Sequence, residues 1–313
     1  MDPRTIGFCL VDGFALMSFA SAIEPLRAAN VLAGRELYRW RHIAMAEAAL
    51  ASNGLRLAPD HRVGDEVALD MLLVVAGGNP AEFRDPKTFR WLRRLARRGV
   101  AIGGVSGGPF VLARAGLLDG YRCTIHWEHG PAFRETFPHL DMTGRLFEID
   151  RDRLTCAGGV AALDMLHALI AQDHGRALAD AVAEWFLQTE IRTAEGAQRR
   201  TLQERFRVSS GPLLVALDAL ETRIEDPPGR AELARMAGVS VRQLERLFAA
   251  ELRTTIARHR LTLQLERARM LVRQSAMPLL EIAVASGFAS ASHFSRAYKA
   301  AFGRPPRADR AAR

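Results

Sequence analysis

The segment Glu232-Leu233-Ala234-Arg235-Met236-Ala237-Gly238-Val239 recurs 49 residues later as Glu281-Ile282-Ala283-Val284-Ala285-Ser286-Gly287-Phe288. Past the glycine the offset becomes 50, so Ser240, Leu244, Arg246 and Phe248 correspond to Ser290, Phe294, Arg296 and Tyr298. One extra turn residue in the second copy accounts for the shift. Each copy reads as a helix with a small alanine, a glycine at a tight turn, an apolar plug and a serine at an N-cap, which is helix-turn-helix grammar. In the first copy Ser240 and Gln243 form a capping-box pair, and Leu244, Leu247 and Phe248 make the buried stripe of the second helix. Arg242, Gln243 and Arg246 are left facing outward, residue types that bond base edges or phosphates from a helix in the major groove. Ser290, Ser292, His293, Arg296 and Lys299 take the equivalent positions in the second copy.

Charge follows the repeat. The 313-residue chain has a net charge of +8. From Asp226 to Arg313 there are 16 arginines and lysines against 7 acidic residues, leaving 27 against 28 upstream. A neutral body with a basic end points to a polyanion for that end only, nucleic acid or an anionic membrane. Between the copies, Thr255 to Arg273 reads as one helix of about 28 Å, close to the ~34 Å between successive major-groove faces. A monomer would then engage two adjacent grooves. The competing account, a helical dimerisation bundle with solvated arginines, does not explain a repeated unit with so local a charge.

The length predicts about two domains. With 49% hydrophobic and 25% charged residues, wholesale disorder is excluded. The start, Met1-Asp2-Pro3-Arg4, has no export-signal pattern, and no stretch approaches the roughly 18 apolar residues of a membrane span. A cytoplasmic protein without a membrane partner is expected. Cys9, Cys123 and Cys156 are isolated, so neither a disulfide framework nor a thiolate site is signalled. His126-Trp127-Glu128-His129 crosses a strand-helix boundary, and no metal or cofactor is expected.

Upstream, strands and helices alternate. Ile6–Val11, Tyr38–Ala46, Asp70–Ala76, Val100–Gly104 and Arg122–Ile125 read as strands. Ala15–Leu32, Pro86–Arg97, Gly107–Ala115, Val160–Asp173 and Leu178–Thr189 read as helices. Such alternation argues for a parallel sheet covered on both faces. Arg145–Ile149 and Arg153–Cys156 look like a hairpin at its edge. Residues 191–211, polar and arginine-rich, read as a linker between domains at 1–190 and 212–313.

Gly104-Val105-Ser106-Gly107-Gly108 places a serine between a buried strand and a helix, the grammar of a nucleophile elbow. A plain glycine-rich turn capped by Ser106 fits the same residues. Loops beyond the carboxyl ends of parallel strands bind ligands. The expected pocket walls are Gly77, Gly78, Ser106, Gly107, His126, Trp127, Gly158 and Gly159. Glycine N–H groups and helix starts there favour a carboxylate, and Trp127 offers a cation-π face for an ammonium unless it only packs.

Residues 212–313 resemble the AraC family of transcriptional regulators, through Gly287-Phe288-Ala289-Ser290-Ala291-Ser292-His293-Phe294-Ser295-Arg296-Ala297-Tyr298-Lys299 and Phe302-Gly303-Arg304-Pro305-Pro306. Residues 5–190 resemble the PfpI-like, class I glutamine amidotransferase-like domain, through Glu24-Pro25-Leu26-Arg27-Ala28-Ala29-Asn30, Gly77-Gly78-Asn79-Pro80, Ala115-Gly116-Leu117-Leu118-Asp119-Gly120, His126-Trp127-Glu128-His129 and Ala157-Gly158-Gly159. The whole is similar to the GlxA-type subgroup, in which the two are fused. The resemblance implies an α/β flavodoxin-like parallel-sheet sandwich followed by an all-α domain with two helix-turn-helix units. It also implies a homodimer that binds promoter DNA, works with RNA polymerase, and activates amine or amino-acid breakdown on sensing a small-molecule effector. In that fold the elbow holds cysteine, supported by an acid from the first helix and a histidine after the next strand. Here Ser106 stands at the elbow, Ser18 falls near the acid's place, and His126 is retained with only Glu128 beside it. A non-catalytic sensor is therefore expected; the alternative is a serine amidase or esterase fused to a DNA reader.

Overall fold

The computed structural model describes residues 2–275 and 277–311. Met1, Ala276, Ala312 and Arg313, which fall within the expected domain spans, lie outside the described residues. The chain divides into two compact units after Gln198.

The first unit contains strands β1 (Arg4–Leu10), β2 (Tyr38–Ala44), β3 (Ala49–Leu50), β4 (Arg56–Leu57), β5 (His61–Arg62), β6 (Met71–Ala76), β7 (Ala101–Ser106), β8 (Arg122–Cys123), β9 (Asp141–Met142), β10 (Phe147–Asp150) and β11 (Arg153–Cys156). Seven of them form one sheet in the order β10-β11-β7-β6-β1-β2-β5. All its pairings are parallel except the β10–β11 hairpin, which turns back at the edge as its sequence suggests. Every residue of β6 is buried, which is why that segment reads as a continuous apolar run. Helices α1 (Leu16–Ala33), α2 (Pro86–Arg97), α3 (Gly108–Arg114), α4 (Gly130–Thr136), α5 (Ala161–His174) and α6 (Arg176–Trp185) complete the unit. α1, α5 and α6 pack together, and α2 packs with α3.

Two expectations shift. The strand expected at Arg122–Ile125 shortens to β8 and pairs with β9 outside the main sheet. The helix expected to reach Thr189 ends at Trp185, and Leu187 adopts φ +56. From there the chain returns as a strap. Asp164, buried in α5, accepts from Gln188 Nε2 at 2.9 Å and from Arg192 Nη2 at 2.6 Å. Leu146 N–H donates to the Ala194 carbonyl, and Gln198 Nε2 donates to the carbonyls of Ile125 (3.1 Å) and Arg145 (2.8 Å). The segment 191–211 therefore belongs in part to the first unit. Its later part holds helix α7 (Leu202–Phe206) with a capping box between Thr201 and Glu204.

The second unit continues with α8 (Gly211–Thr222), α9 (Arg230–Met236), α10 (Val241–Leu252), α11 (Ile256–Gln274), α12 (Leu279–Ala285), α13 (Ala291–Phe302) and α14 (Pro306–Ala311). α9 and α12 start 49 residues apart, α10 and α13 start 50 apart, and each member of a pair has the same length. The repeat is thus two helix-turn-helix units joined by a 19-residue helix. Leu213, Leu217, Leu220, Leu233, Leu244 and Phe248 build the core beneath the first copy.

Candidate functional site

At the carboxyl end of β7, Ser106 takes φ +61 and is buried. A left-handed backbone is costly for a residue with a Cβ, roughly 1–2 kcal/mol, and marks a turn held by its surroundings. Pairing of Ala76 with Ser106 puts Gly77 and Gly78 next to this turn. His126 N–H reaches the Ser106 carbonyl at 3.4 Å. Gly158 (φ +85) comes so close that a Cβ there would lie 2.6 Å from Ser106 Cβ and 2.8 Å from Ser18 Oγ. Ser18, in the first turn of α1, accepts from Gly159 N–H at 2.7 Å. Four chain segments therefore meet around Ser106.

The donor set differs from the one expected. Gly107 N–H is spent on the Ala76 carbonyl at 3.0 Å, Gly158 N–H on Cys156 Sγ at 3.3 Å and Gly159 N–H on Ser18. The sequence cannot signal these pairings, because each closes a loop of the protein's own making. Gly77 and Gly78 have no N–H partner among the described residues. Trp127 is 42% exposed, so it is not a core residue, and its ring stacks at a tilt 5.5 Å from His126.

Hydrolytic chemistry finds little here. Burial, with help from His129 and against Glu128, holds His126 below the usual histidine range and hence neutral at pH 7. Its Nδ1 accepts from the Glu128 backbone N–H at 3.3 Å, so the neutral ring carries its proton on Nε2. Glu128 thus meets Nδ1 with its backbone N–H instead of the carboxylate that orients a catalytic histidine. Cys9, Cys123 and Cys156 are buried, and burial pushes each thiol up to about 12, leaving them inert.

In the second unit, Ser240 caps α10 and Ser290 caps α13, each accepting from the backbone N–H three residues on at 3.3 and 3.2 Å. Leu244 and Phe248 are buried on one helix, Phe294 and Tyr298 on the other. Leu247 is half-buried. Arg242, Gln243, Arg246, Ser292, His293, Arg296 and Lys299 are exposed. Gln243 is less free than its exposure suggests, because its Oε1 accepts from both Ser240 N–H and Ser240 Oγ. His293 lies edge-on to Phe288 at 5.5 Å.

Residues 4–172 match the DJ-1/PfpI family and residues 233–312 match a helix-turn-helix domain. Over 307 residues the chain is 45% identical to the HTH-type transcriptional regulator GlxA of Rhizobium meliloti, covering 97% of this chain and 95% of that one. The chain belongs to the GlxA-type AraC family of transcriptional regulators. A second relative, the HTH-type transcriptional regulator GbdR of Pseudomonas aeruginosa, is 42% identical over 310 residues, 99% of this chain and 84% of its own length. A crystal structure of an AraC family transcriptional regulator from Pseudomonas putida superposes with a TM-score of 0.53 at 31% identity, over 59% of this chain and all of that one. The protein is thus a DNA-binding transcriptional regulator with a DJ-1/PfpI domain. No helix among the described residues is long and apolar enough to cross a membrane.

Two contributors carry no signal in the sequence. Gln198 and Asp164 tie the end of the first unit to the loop before His126 and to α5, across separations of 73 and 28 residues. Neither belongs to a motif or a periodic face.

Proposed function

We propose that the chain is a ligand-responsive activator of amine or amino-acid catabolism. On this reading the first unit senses a small carboxylated amine, such as an amino acid or a betaine, around Ser106, and the second reads promoter DNA as part of a homodimer that engages RNA polymerase. One observation carries it: the strained elbow backbone is kept at Ser106 while Ser18 and a neutral, proton-bearing His126 stand where hydrolysis needs an acid and a base. Strain retained without its chemistry supports a binding role. The N–H groups of Gly77 and Gly78 suit a carboxylate, and the exposed face of Trp127 suits an ammonium. Arg242, Arg246, Arg296 and Lys299 suit base or phosphate contacts.

Gln198 supports a route for the signal. It holds the Ile125 carbonyl, one residue before His126, at the point where the chain passes into the second unit. A ligand that shifts His126 also loads Gln198.

The test is thermal unfolding of the full chain with glycine betaine, carnitine and arginine, each beside a neutral isostere. A charged ligand at ~100 times its Kd should stabilise by about 2.7 kcal/mol. No stabilisation by any of them would remove the amine-sensor reading. Ser106→Ala should weaken binding by about 1.5–3 kcal/mol, with saturating ligand restoring transcription. Amide or ester turnover that Ser106→Ala abolishes would instead favour the hydrolase. Gln198→Ala should leave ligand affinity nearly unchanged and uncouple it from the promoter.

A further inference from the structure

The nearly neutral sum upstream of residue 226 hides one very uneven helix. α2 holds Lys87, Arg90, Arg93, Arg94 and Arg97 in twelve residues, with no acid among them. Phe89, Trp91, Leu92 and Leu95 are buried, so the cations gather on the opposite side. Ordinary roles account for some of them. Arg94 meets Glu66 at 3.5 Å, and Arg93 Nη1 donates to the Ala115 carbonyl at 3.1 Å. The end of a helix also favours cations, which covers Arg97. Neither role covers Arg90, in mid-helix; Lys87 stands in a first turn where the dipole disfavours positive charge and the capping Asp85 carboxylate offsets it.

Lys87, Arg90, Arg94 and Arg97 follow helical spacing along one stripe, about 15 Å long at 1.5 Å per residue. The stripe lines a groove of about 490 Å³ with Gly64 at its edge. Arg90 and Arg97 are exposed and have no ion-pair partner among the described residues. A site for one small anion would bury its cations and leave most of such a row unused. An extended, regularly charged polymer uses the whole row, and arginine bonds phosphate oxygens in bidentate fashion.

We propose that this row is a phosphate-contacting strip with which the first unit holds duplex DNA flanking the sequence read by the two helix-turn-helix copies. It rests on the DNA-binding character of the regulator, and it adds contacts that carry no sequence information.

The test uses the full chain and a random-sequence duplex of about 60 base pairs, titrated at several KCl concentrations. Each phosphate contact adds about 0.9 to the slope of log K against log salt, so Lys87→Gln/Arg90→Gln/Arg97→Gln should make the slope shallower by about 2–3. Arg35→Gln/Arg56→Gln/Arg134→Gln removes the same charge from other exposed positions and should keep the wild-type slope. A wild-type slope in the α2 variant overturns the proposal and leaves the row to an acidic protein surface. Equal losses in both variants also overturn it, since net charge then explains everything. Absence of any salt-dependent binding by the wild-type chain would strike the DNA reading itself, and this strip with it.

Discussion

The two helix-turn-helix copies share their serine caps and one exposed arginine, Arg246 in the first and Arg296 in the second, but their turns and backs are held in different ways. Gly238 (φ +67) has open space where a Cβ would stand, whereas at Gly287 (φ +74) the Ile224 carbonyl oxygen would lie 2.2 Å from it and Gln264 Nε2 2.5 Å. Phe248 and its counterpart Tyr298 are both fully buried. Phe248 sits in an apolar cluster with residues of α8. Tyr298 instead donates its hydroxyl to Asp309 Oδ2 at 2.7 Å, and the buried Asp309 also meets Arg269, Arg273 and Arg304 at 3.4, 3.1 and 3.3 Å. The copies keep the caps, the spacing of the buried positions and the Arg246/Arg296 pair, while Arg242, Gln243 and Ala249 correspond to Ser292, His293 and Lys299 and each back is built around its own neighbours. The first back is apolar; the second is a polar network centred on the buried Asp309.

The largest expected break in this comparison is Asp309→Ala, which leaves the buried Tyr298 hydroxyl without its acceptor and removes the shared carboxylate from three partly exposed arginines, and should cost about 2–5 kcal/mol in urea unfolding. Glu232→Ala, which breaks the exposed, solvent-screened Arg223–Glu232 pair of the first copy, should cost far less. Acid should act in the same order. Burial alone would raise the Asp309 carboxyl, but the Tyr298 hydroxyl and Arg273 outweigh it and hold it below the usual range. A lowered folded pKa stabilises above the unfolded value and is lost as pH falls through the folded one. Amide exchange should therefore rise in α13 before α10 below about pH 4.

Next in size is Gly287→Ala at about 2–4 kcal/mol, combining left-handed strain with overlap, against about 1–2 kcal/mol for Gly238→Ala, where strain acts alone. Equal costs would show that Ile224 and Gln264 yield freely. Tyr298→Phe gives the second copy the side chain of the first and should cost about 1.5–3 kcal/mol by removing a hydrogen bond to a charged group. A neutral result would mean that the arginines alone satisfy Asp309.

On the DNA side the shared arginines should behave alike. Arg246→Ala and Arg296→Ala should each weaken specific binding by about 1–3 kcal/mol, with altered preference at base pairs roughly one helical turn apart. Preference altered at the same base pairs by both would rule out two-groove reading. The smallest difference concerns the caps: Ser240→Ala should cost about 0.5–2 kcal/mol and slightly exceed Ser290→Ala, because Ser240 also exchanges a bond with Gln243.

Much of this was legible residue by residue. The expected helix at Thr255–Arg273 is α11 with Thr255 as its cap, and the expected strand at Val100–Gly104 is β7, extended to Ser106. These elements announce themselves because burial repeats with a period of 3.6 or 2 along the chain. α4 and the short strands β3, β4 and β5 escaped notice, being too brief to show a period. At the candidate site, Ser106, Ser18 and His126 can be named from the sequence as neighbours of the elbow, but the engaged N–H groups of Gly107, Gly158 and Gly159 cannot.

The sequence by itself determined the order of elements, the duplication with its one-residue insertion, and the residue types at the elbow, since each is written in neighbours a few positions apart. Tertiary structure alone decided which partner each polar group takes: Glu128 N–H on His126, Ser18 on Gly159, Gln198 on Ile125, Tyr298 on Asp309. Hydrogen bonds are short and directional, and most of these join segments distant in the chain. Such a choice exists only once packing has brought donor and acceptor within about 3 Å and removed the water that would otherwise satisfy both.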